Sequence, residues 1–287
     1  VLENRKNNFL SCVSLDKKLA GVAFLDITTG EFLVAEGNIE YIEKLLSGFQ
    51  PSEVLYSKKD SKKFDEIFGD SFHKYGLDEW IFSGPDSGAV LRAAGPNFAY
   101  DMSMYAIGPR VFHGTAGYSL KSAEGQASYY FSQPFYKIEG TLQLPLGDVY
   151  VAGDAWLDRE WSSKPLGSDQ TGWDWFSLSF DDGSKLMGFL LRGDSVFTQA
   201  TLIDEEGATV AYSDGAFTAE PIKQSQVAGR DVPTTWRVLL PDAGIDIVVT
   251  ALNTQSWMDT SVPYWEGPVR VTGSHTGFGY LEMTGYE

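Results

Sequence analysis

Two short stretches of the chain set a carboxylic acid among tryptophans. One is Ala155-Trp156-Leu157-Asp158-Arg159-Glu160-Trp161, and the other is Gly172-Trp173-Asp174-Trp175-Phe176. A carboxyl group held against indole rings is poorly hydrated, so its pKa rises and it keeps a proton that it can give away. The ring faces stabilise positive charge. Together these are the parts needed to protonate an apolar molecule and to hold the cation that results. If the first stretch is a strand, alternation places Trp156, Asp158 and Glu160 on one face, with Leu157, Arg159 and Trp161 on the other. In the second stretch Trp173 and Trp175 share a face and Asp174 lies opposite. Asp158 is therefore the better acid candidate, with Glu160 and Asp174 as further carboxylates. Trp156, Trp161, Trp173, Trp175, Tyr130 and Trp265 are the candidate walls of a pocket for a flat, conjugated ligand. The competing reading is structural, with Asp158, Arg159 and Glu160 as an ion-pair group that closes a barrel and the tryptophans as core.

Other chemistries find less support. The three histidines, His73, His113 and His275, are scattered. His73 reads as a surface residue, His113 as a partner of a turn beside Gly114, and His275 as part of a solvated loop. Without a His-x-His or His-x-x-x-His pair no metal site is expected, and no cofactor is expected. Ser119 lacks the G-x-S-x-G elbow of a serine hydrolase. The single cysteine, Cys12, leaves no internal disulfide.

The elements that must position these residues differ along the chain. Residues 1–82 hold 9 of the 14 lysines but 1 of the 8 tryptophans, 1 of the 12 prolines and 6 of the 30 glycines. Their 10 basic side chains face 14 acidic ones, against 12 and 25 in the remainder. A shift this abrupt marks a domain boundary, with residues 83–87 as linker. The first part reads as strands over 8–15, 20–27 and 31–35, then a helix capped by Asn38 with Ile39, Ile42, Leu45, Leu46 and Phe49 at a 3.6-residue period. Pro51 stops it. A fourth strand over 52–56 and a second helix, capped by Asp60 with Phe64, Ile67 and Phe68 inward, complete a β-β-β-α-β-α order. The second part reads as almost pure β, with turns at 181–183, 193–194, 205–207 and 213–215 in the rhythm of an antiparallel barrel or sandwich.

The segment Arg5-Lys6-Asn7-Asn8-Phe9-Leu10, followed by residues 21–32 (Gly-Val-Ala-Phe-Leu-Asp-Ile-Thr-Thr-Gly-Glu-Phe) and by Pro51-Ser52-Glu53-Val54-Leu55, resembles the connector domain of MutS DNA mismatch-repair proteins. The resemblance covers residues 1–82 and implies an RNase H-like α/β fold that does no chemistry of its own. No G-x-x-x-x-G-K-[ST] phosphate loop is present, and the Phe-x-Glu string at Phe64-Asp65-Glu66 falls within the segment read as the second helix, so mismatch reading and ATP hydrolysis do not carry over. Asp26 stands nearly alone ahead of a Thr-Thr-Gly turn and reads as turn-stabilising, not as part of a two-metal nuclease site.

The two tryptophan motifs, together with His113-Gly114, Gly117-Tyr118-Ser119, residues 127–132, Tyr264-Trp265-Glu266-Gly267 and the closing Gly279-Tyr280-Leu281-Glu282-Met283-Thr284-Gly285-Tyr286, resemble the lipocalin-like family of AttH and the carotenoid 1,2-hydratases. That resemblance runs over 88–287. It implies two calycin-type β-barrels with an apolar pocket, here with the first barrel truncated and the second over about 138–287. It also implies a hydrophobic small-molecule partner, a polyene or lipid, and hydratase, hydrolase or cyclase activity. Hydrating a C=C bond needs an acid, a place for a carbocation and a positioned water, which Asp158 and its tryptophans meet. The family's hydratases carry a His near the position of Arg159, and an arginine cannot take that acid–base role. A binding-only lipocalin and a non-catalytic mismatch-repair connector are the alternatives, and the two resemblances together suggest a chimera.

The formal charge of −17 disfavours direct nucleic-acid binding. No apolar run long enough for a membrane span is present. The first eight residues contain no apolar signal region and no starting Met, so a fragment without a signal peptide, cytoplasmic as it stands, is the expectation. Oligomeric state stays open.

Overall fold

A computed structural model describes the chain except for residues 1–8, 17–18, 27–28, 70–73, 78–80, 86, 96, 163–166, 168, 261–262 and 287. His73 lies outside the described residues. The protein is mostly β, with three sheets among the described residues.

The first sheet contains β1 (Phe9–Leu15), β2 (Ala20–Asp26), β3 (Phe32–Gly37), β4 (Glu53–Ser57) and β5 (Lys74–Leu77) in the order β3-β2-β1-β4-β5. The first three are antiparallel neighbours, whereas β4 runs parallel to β1 and β5 parallel to β4. Parallel neighbours need crossovers, and α1 (Ile39–Phe49) and α2 (Ser61–Phe68) supply them. The Asn38 side chain accepts the Tyr41 backbone N–H at 2.9 Å, and Gln50 ends α1 in the left-handed region just before Pro51. Asp60 occupies the N-cap position of α2, yet its side chain makes no capping bond there. The buried residues of β2, Ala20, Val22, Phe24 and Asp26, alternate as one face of a strand should. Phe24 stacks on Phe49 at 4.5 Å and Tyr56 on Phe64 at 4.3 Å, so the sheet and its helices own a separate core.

The second sheet comprises β6 (Ile81–Ser83), β7 (Gly88–Gly95), β8 (Phe98–Ala106), β9 (Val111–Phe112), β10 (Tyr118–Leu120), β11 (Ala127–Leu144) and β12 (Gly147–Trp161). Its order is β10-β11-β8-β7-β6, with β9 and β12 also pairing with β11. The stretch expected as a linker, 83–87, instead joins the paired strands β6 and β7, and the Gly88 N–H donates to the Pro85 carbonyl at 3.0 Å. The change of sheet falls a few residues earlier, between Leu77 and Ile81.

The third sheet has ten strands, β13 (Gly172–Phe180), β14 (Lys185–Arg192), β15 (Phe197–Ile203), β16 (Thr209–Tyr212), β17 (Thr218–Val227), β18 (Arg230–Leu240), β19 (Ile245–Ala251), β20 (Trp257–Met258), β21 (Tyr264–Gly273) and β22 (Gly277–Thr284). The order β16-β15-β14-β13-β22-β21-β19-β18-β17 places the C-terminal hairpin in the middle of the sheet. The four expected turns fall between β13 and β14, β14 and β15, β15 and β16, and β16 and β17. One face carries the main core, including Phe176, Leu178, Phe217, Trp236, Trp265 and Leu281. The other face of β13 and β14 carries Trp173, Trp175, Met187, Phe189 and Leu191.

By contacts the chain divides into two compact units, residues 1–105 with 137–153, and residues 106–136 with 154–287. Among the described residues no helix is long and apolar enough to cross a membrane.

Candidate functional site

The candidate site lies wholly within the second unit. Alternation along β13 sends Trp173 and Trp175 to the face away from the main core. In the register of the sheet Trp175 sits opposite Phe189 on β14 and Glu282 on β22, so aromatic and acidic side chains come together across three strands. Over this face lie Lys121, Tyr130 of β11, and Asp158 and Glu160 of β12. Together they line a cavity of about 390 Å³, with Leu191 and Ser162 also in its wall. That volume suits a small organic ligand.

The polar groups of the cavity are held in place. Asp158 Oδ1 accepts the Trp156 indole N–H at 2.9 Å and the Ser132 hydroxyl. Trp156 and Asp158 are two residues apart on β12 and so share a face. Burial pushes the Asp158 carboxyl up to about 6. Donors from Ser132, Trp156 and Tyr130 pull the other way, and the Glu160 charge adds to the rise. Removal from water wins because a carboxylate facing ring carbons loses more hydration than these bonds return. Glu160 accepts the Lys121 ammonium at 2.7 Å and the Ser128 hydroxyl. Lys121 is itself buried, with Nζ 3.9 Å from the centre of the Phe189 ring, and burial lowers its pKa against the pull of Glu160 and Asp158. Glu282 accepts the Trp173 indole N–H at 2.7 Å, and burial raises its pKa. The Tyr130 hydroxyl accepts the Trp175 indole N–H at 2.9 Å, and burial holds the phenol well above its usual range.

Behind Asp158 stands a buried polar chain. The Ser132 hydroxyl is 2.7 Å from His113 Nε2, and His113 Nδ1 is 3.0 Å from the Thr201 hydroxyl. Burial, reinforced by Lys121, lowers the His113 pKa to about 3, so the ring is neutral at pH 7. Gly114, at φ +64°, begins the turn that follows His113, and a Cβ there would lie 2.2 Å from the Tyr118 carbonyl. Only glycine admits that close approach.

The structure brings Asp158, Glu160, Trp173, Trp175 and Tyr130 to one cavity, with Trp156 as a donor to Asp158. It places the other candidates elsewhere. Trp161 is 56 % exposed and packs against Phe131. Trp265 is fully buried on the opposite face of the third sheet, its indole N–H on the Thr254 carbonyl. Asp174 faces the main core as alternation requires, and it pairs with Arg192 at 3.0 Å and the Tyr286 hydroxyl at 2.8 Å. Burial raises Asp174 to about 6 in spite of Arg192, but the residue does not line the cavity. His275 stands beside the Ser274 hydroxyl and the Phe180 ring. Ser119 donates to Gln199. Lys121, Glu282, Ser132 and the ring bonds of His113 escape a reading of sequence alone. Glu282 could be found only from the strand register, and Lys121 carries no local signal at all. Among the described residues no group of His, Cys, Asp and Glu is placed to hold a metal ion.

Mostly β sheets with an aromatic, acid-lined cavity define a lipocalin-like protein. The AttH-like family model matches residues 50–286, and the chain belongs to that family. A protein described as an AttH from Nitrosomonas europaea has a crystal structure similar to this one, with a TM-score of 0.69 at 30% identity, covering 94% of this chain and 81% of that one. Kievitone hydratase from Nectria haematococca shares the fold at a TM-score of 0.63 and 16% identity, covering 94% and 80%. The MutS domain II model matches residues 8–74. The MutS mismatch-repair proteins of Flavobacterium psychrophilum and Christiangramia forsetii are 51% and 52% identical over 82 and 93 residues, 29% and 32% of this chain. The chain spans about a tenth of the length of these curated relatives. The AttH-like match begins well before residue 88 and overlaps the MutS-like segment over 50–74.

Proposed function

We propose that the cavity binds a flat, apolar, unsaturated small molecule and that Asp158 protonates it, with water completing a hydration. The observation that carries this reading is the raised Asp158 carboxyl set among Trp173, Trp175, Tyr130 and Phe189 in one cavity. The fold shared with kievitone hydratase is consistent with it. The Asp158 proton passes to one carbon of the double bond, whose π pair forms the new C–H bond. The neighbouring carbon becomes cationic and is stabilised by the aromatic faces and by the Glu160 and Glu282 carboxylates. A water oxygen then forms the C–O bond, and its surplus proton returns to Asp158.

Incubation with polyenes and unsaturated lipids, followed by mass spectrometry for gain of one water, tests the reading. Asp158→Asn is expected to cut turnover by about a hundredfold or more, the usual worth of a general acid. Turnover is also expected to fall as pH rises above about 6, where Asp158 loses its proton. Saturable binding with no mass gain for any compound would leave a binding-only lipocalin.

We further propose that the MutS domain II-like segment is an RNase H-like connector unit of its own, fused to the AttH-like region. The order β3-β2-β1-β4-β5, with β4 and β5 parallel, and a separate core support this.

A further inference from the structure

Four polar side chains form an unbroken chain in the interior of the second unit. His113 and Ser132 are 0 % exposed and Thr201 is 1 % exposed. Their bonds run from Thr201 through His113 and Ser132 to Asp158 Oδ1. Such a chain has two internally consistent directions, and the neighbours of Asp158 select one. Trp156 can only donate, and it donates to the same oxygen that Ser132 meets, so Oδ1 is an acceptor. The Ser132 hydroxyl hydrogen therefore goes to Oδ1, and its oxygen must accept from His113. That requires the hydrogen of the neutral ring on Nε2 and leaves Nδ1 to accept from Thr201.

We infer that His113 is a positioning residue for the acid, resting on the reading of Asp158 above: with its hydrogen held on Nε2 it fixes the Ser132 hydroxyl towards Oδ1, so that the transferable proton of Asp158 sits on Oδ2. With Oδ1 taken by the Ser132 and Trp156 donors, the proton is carried on Oδ2, and the Tyr130 hydroxyl is a third hydrogen-bond partner of the same carboxyl. The acid is thereby primed in one orientation before any ligand arrives. The charged and titratable groups around Asp158 are Lys121 and Tyr130 on the β10–β11 side, Glu160 on its own strand, Glu282 on β22 and neutral His113 behind it.

The test is nitrogen-15 NMR of the imidazole rings in the full, unliganded chain, between pH 8 and 4.5. Only three histidines need assignment, and His113→Gln identifies the signal. The expected result is a neutral ring with its hydrogen on Nε2 throughout, including the range in which the Asp158 carboxyl carbon titrates. A hydrogen on Nδ1, or an imidazolium above pH 5, overturns the inference. In a second arm Ser132→Ala is expected to raise the Asp158 midpoint by roughly one pH unit or more, because a donor to the charged form is lost. Ser132→Thr keeps that donor and should restore the midpoint. A midpoint unmoved by Ser132→Ala also overturns the inference. Neither arm uses a substrate, so the absence of any hydration would overturn the acid reading and leave this hydrogen-bond order standing.

Discussion

At the scale of single residues, the cavity concentrates groups that resist ionisation in the ordinary way. Asp158 titrates near 6 because its surroundings replace water with rings. Its folded value lies above its unfolded one, so the folded protein binds more protons than the unfolded chain between those values. Stability from this group is therefore greatest at low pH and is lost as pH rises through the folded value. Asp158→Asn is expected to raise stability at pH 7.5 by about 3 kcal/mol and to change it little at pH 4, as read by denaturant unfolding at both pH values. The sequence made Asp158 and the Trp173–Trp175 pair legible, since a two-residue period is a local property of a strand. Trp161 and Trp265 lie outside the lining of this cavity for a related reason. Alternation says which residues share a face, and only tertiary packing says which face meets a cavity.

At the scale of elements, β13 divides the work between its two faces. Trp173 and Trp175 line the cavity, while Asp174 is clamped by Arg192 of β14 and by Tyr286 beyond β22. Arg192 also donates to the Thr284 carbonyl, so one guanidinium ties β13 and β14 to the chain's closing strand. A fully buried carboxylate that loses its cation is costly, about 3–5 kcal/mol. Arg192→Met is expected to lower stability by that order, read by thermal or denaturant unfolding. Adding Asp174→Asn should return part of the loss, because it removes the stranded charge. The helix cap at Asn38, the stop at Pro51 and the hairpin turns of the third sheet were readable because each is a short-range matter of one or two side chains. The convergence of β11, β12, β13 and β22 on one cavity was not, since Lys121 and Glu282 meet across more than 150 residues of chain and nothing local marks either one.

At the scale of the molecule, a chain of the AttH-like family also matches the MutS domain II model over residues 8–74, and the first sheet with its helices carries its own core. Phe64 is fully buried there, between Tyr56 and Phe68. Phe64→Ala is expected to destabilise that segment by about 3–5 kcal/mol, while ligand-induced quenching of tryptophan fluorescence stays as in the wild type. A parallel loss of quenching would show the two parts to fold as one. The compositional break near residue 82 lies close to the change from the first sheet to the second, since a helix-bearing α/β unit and an antiparallel β region draw on different residues. Residues 83–87, expected as a linker, lie between the paired strands β6 and β7.

Trp173, Trp175 and Asp158 line the site proposed for a conjugated apolar molecule. The most direct test of this claim is a titration of intrinsic tryptophan fluorescence with retinol, in the wild type and in Trp175→Ala. The expected result is saturable one-to-one quenching by the wild type, weakened at least about tenfold in the variant, since an aromatic wall of the cavity is lost. Quenching that does not saturate, or that is the same in both proteins, would contradict the claim.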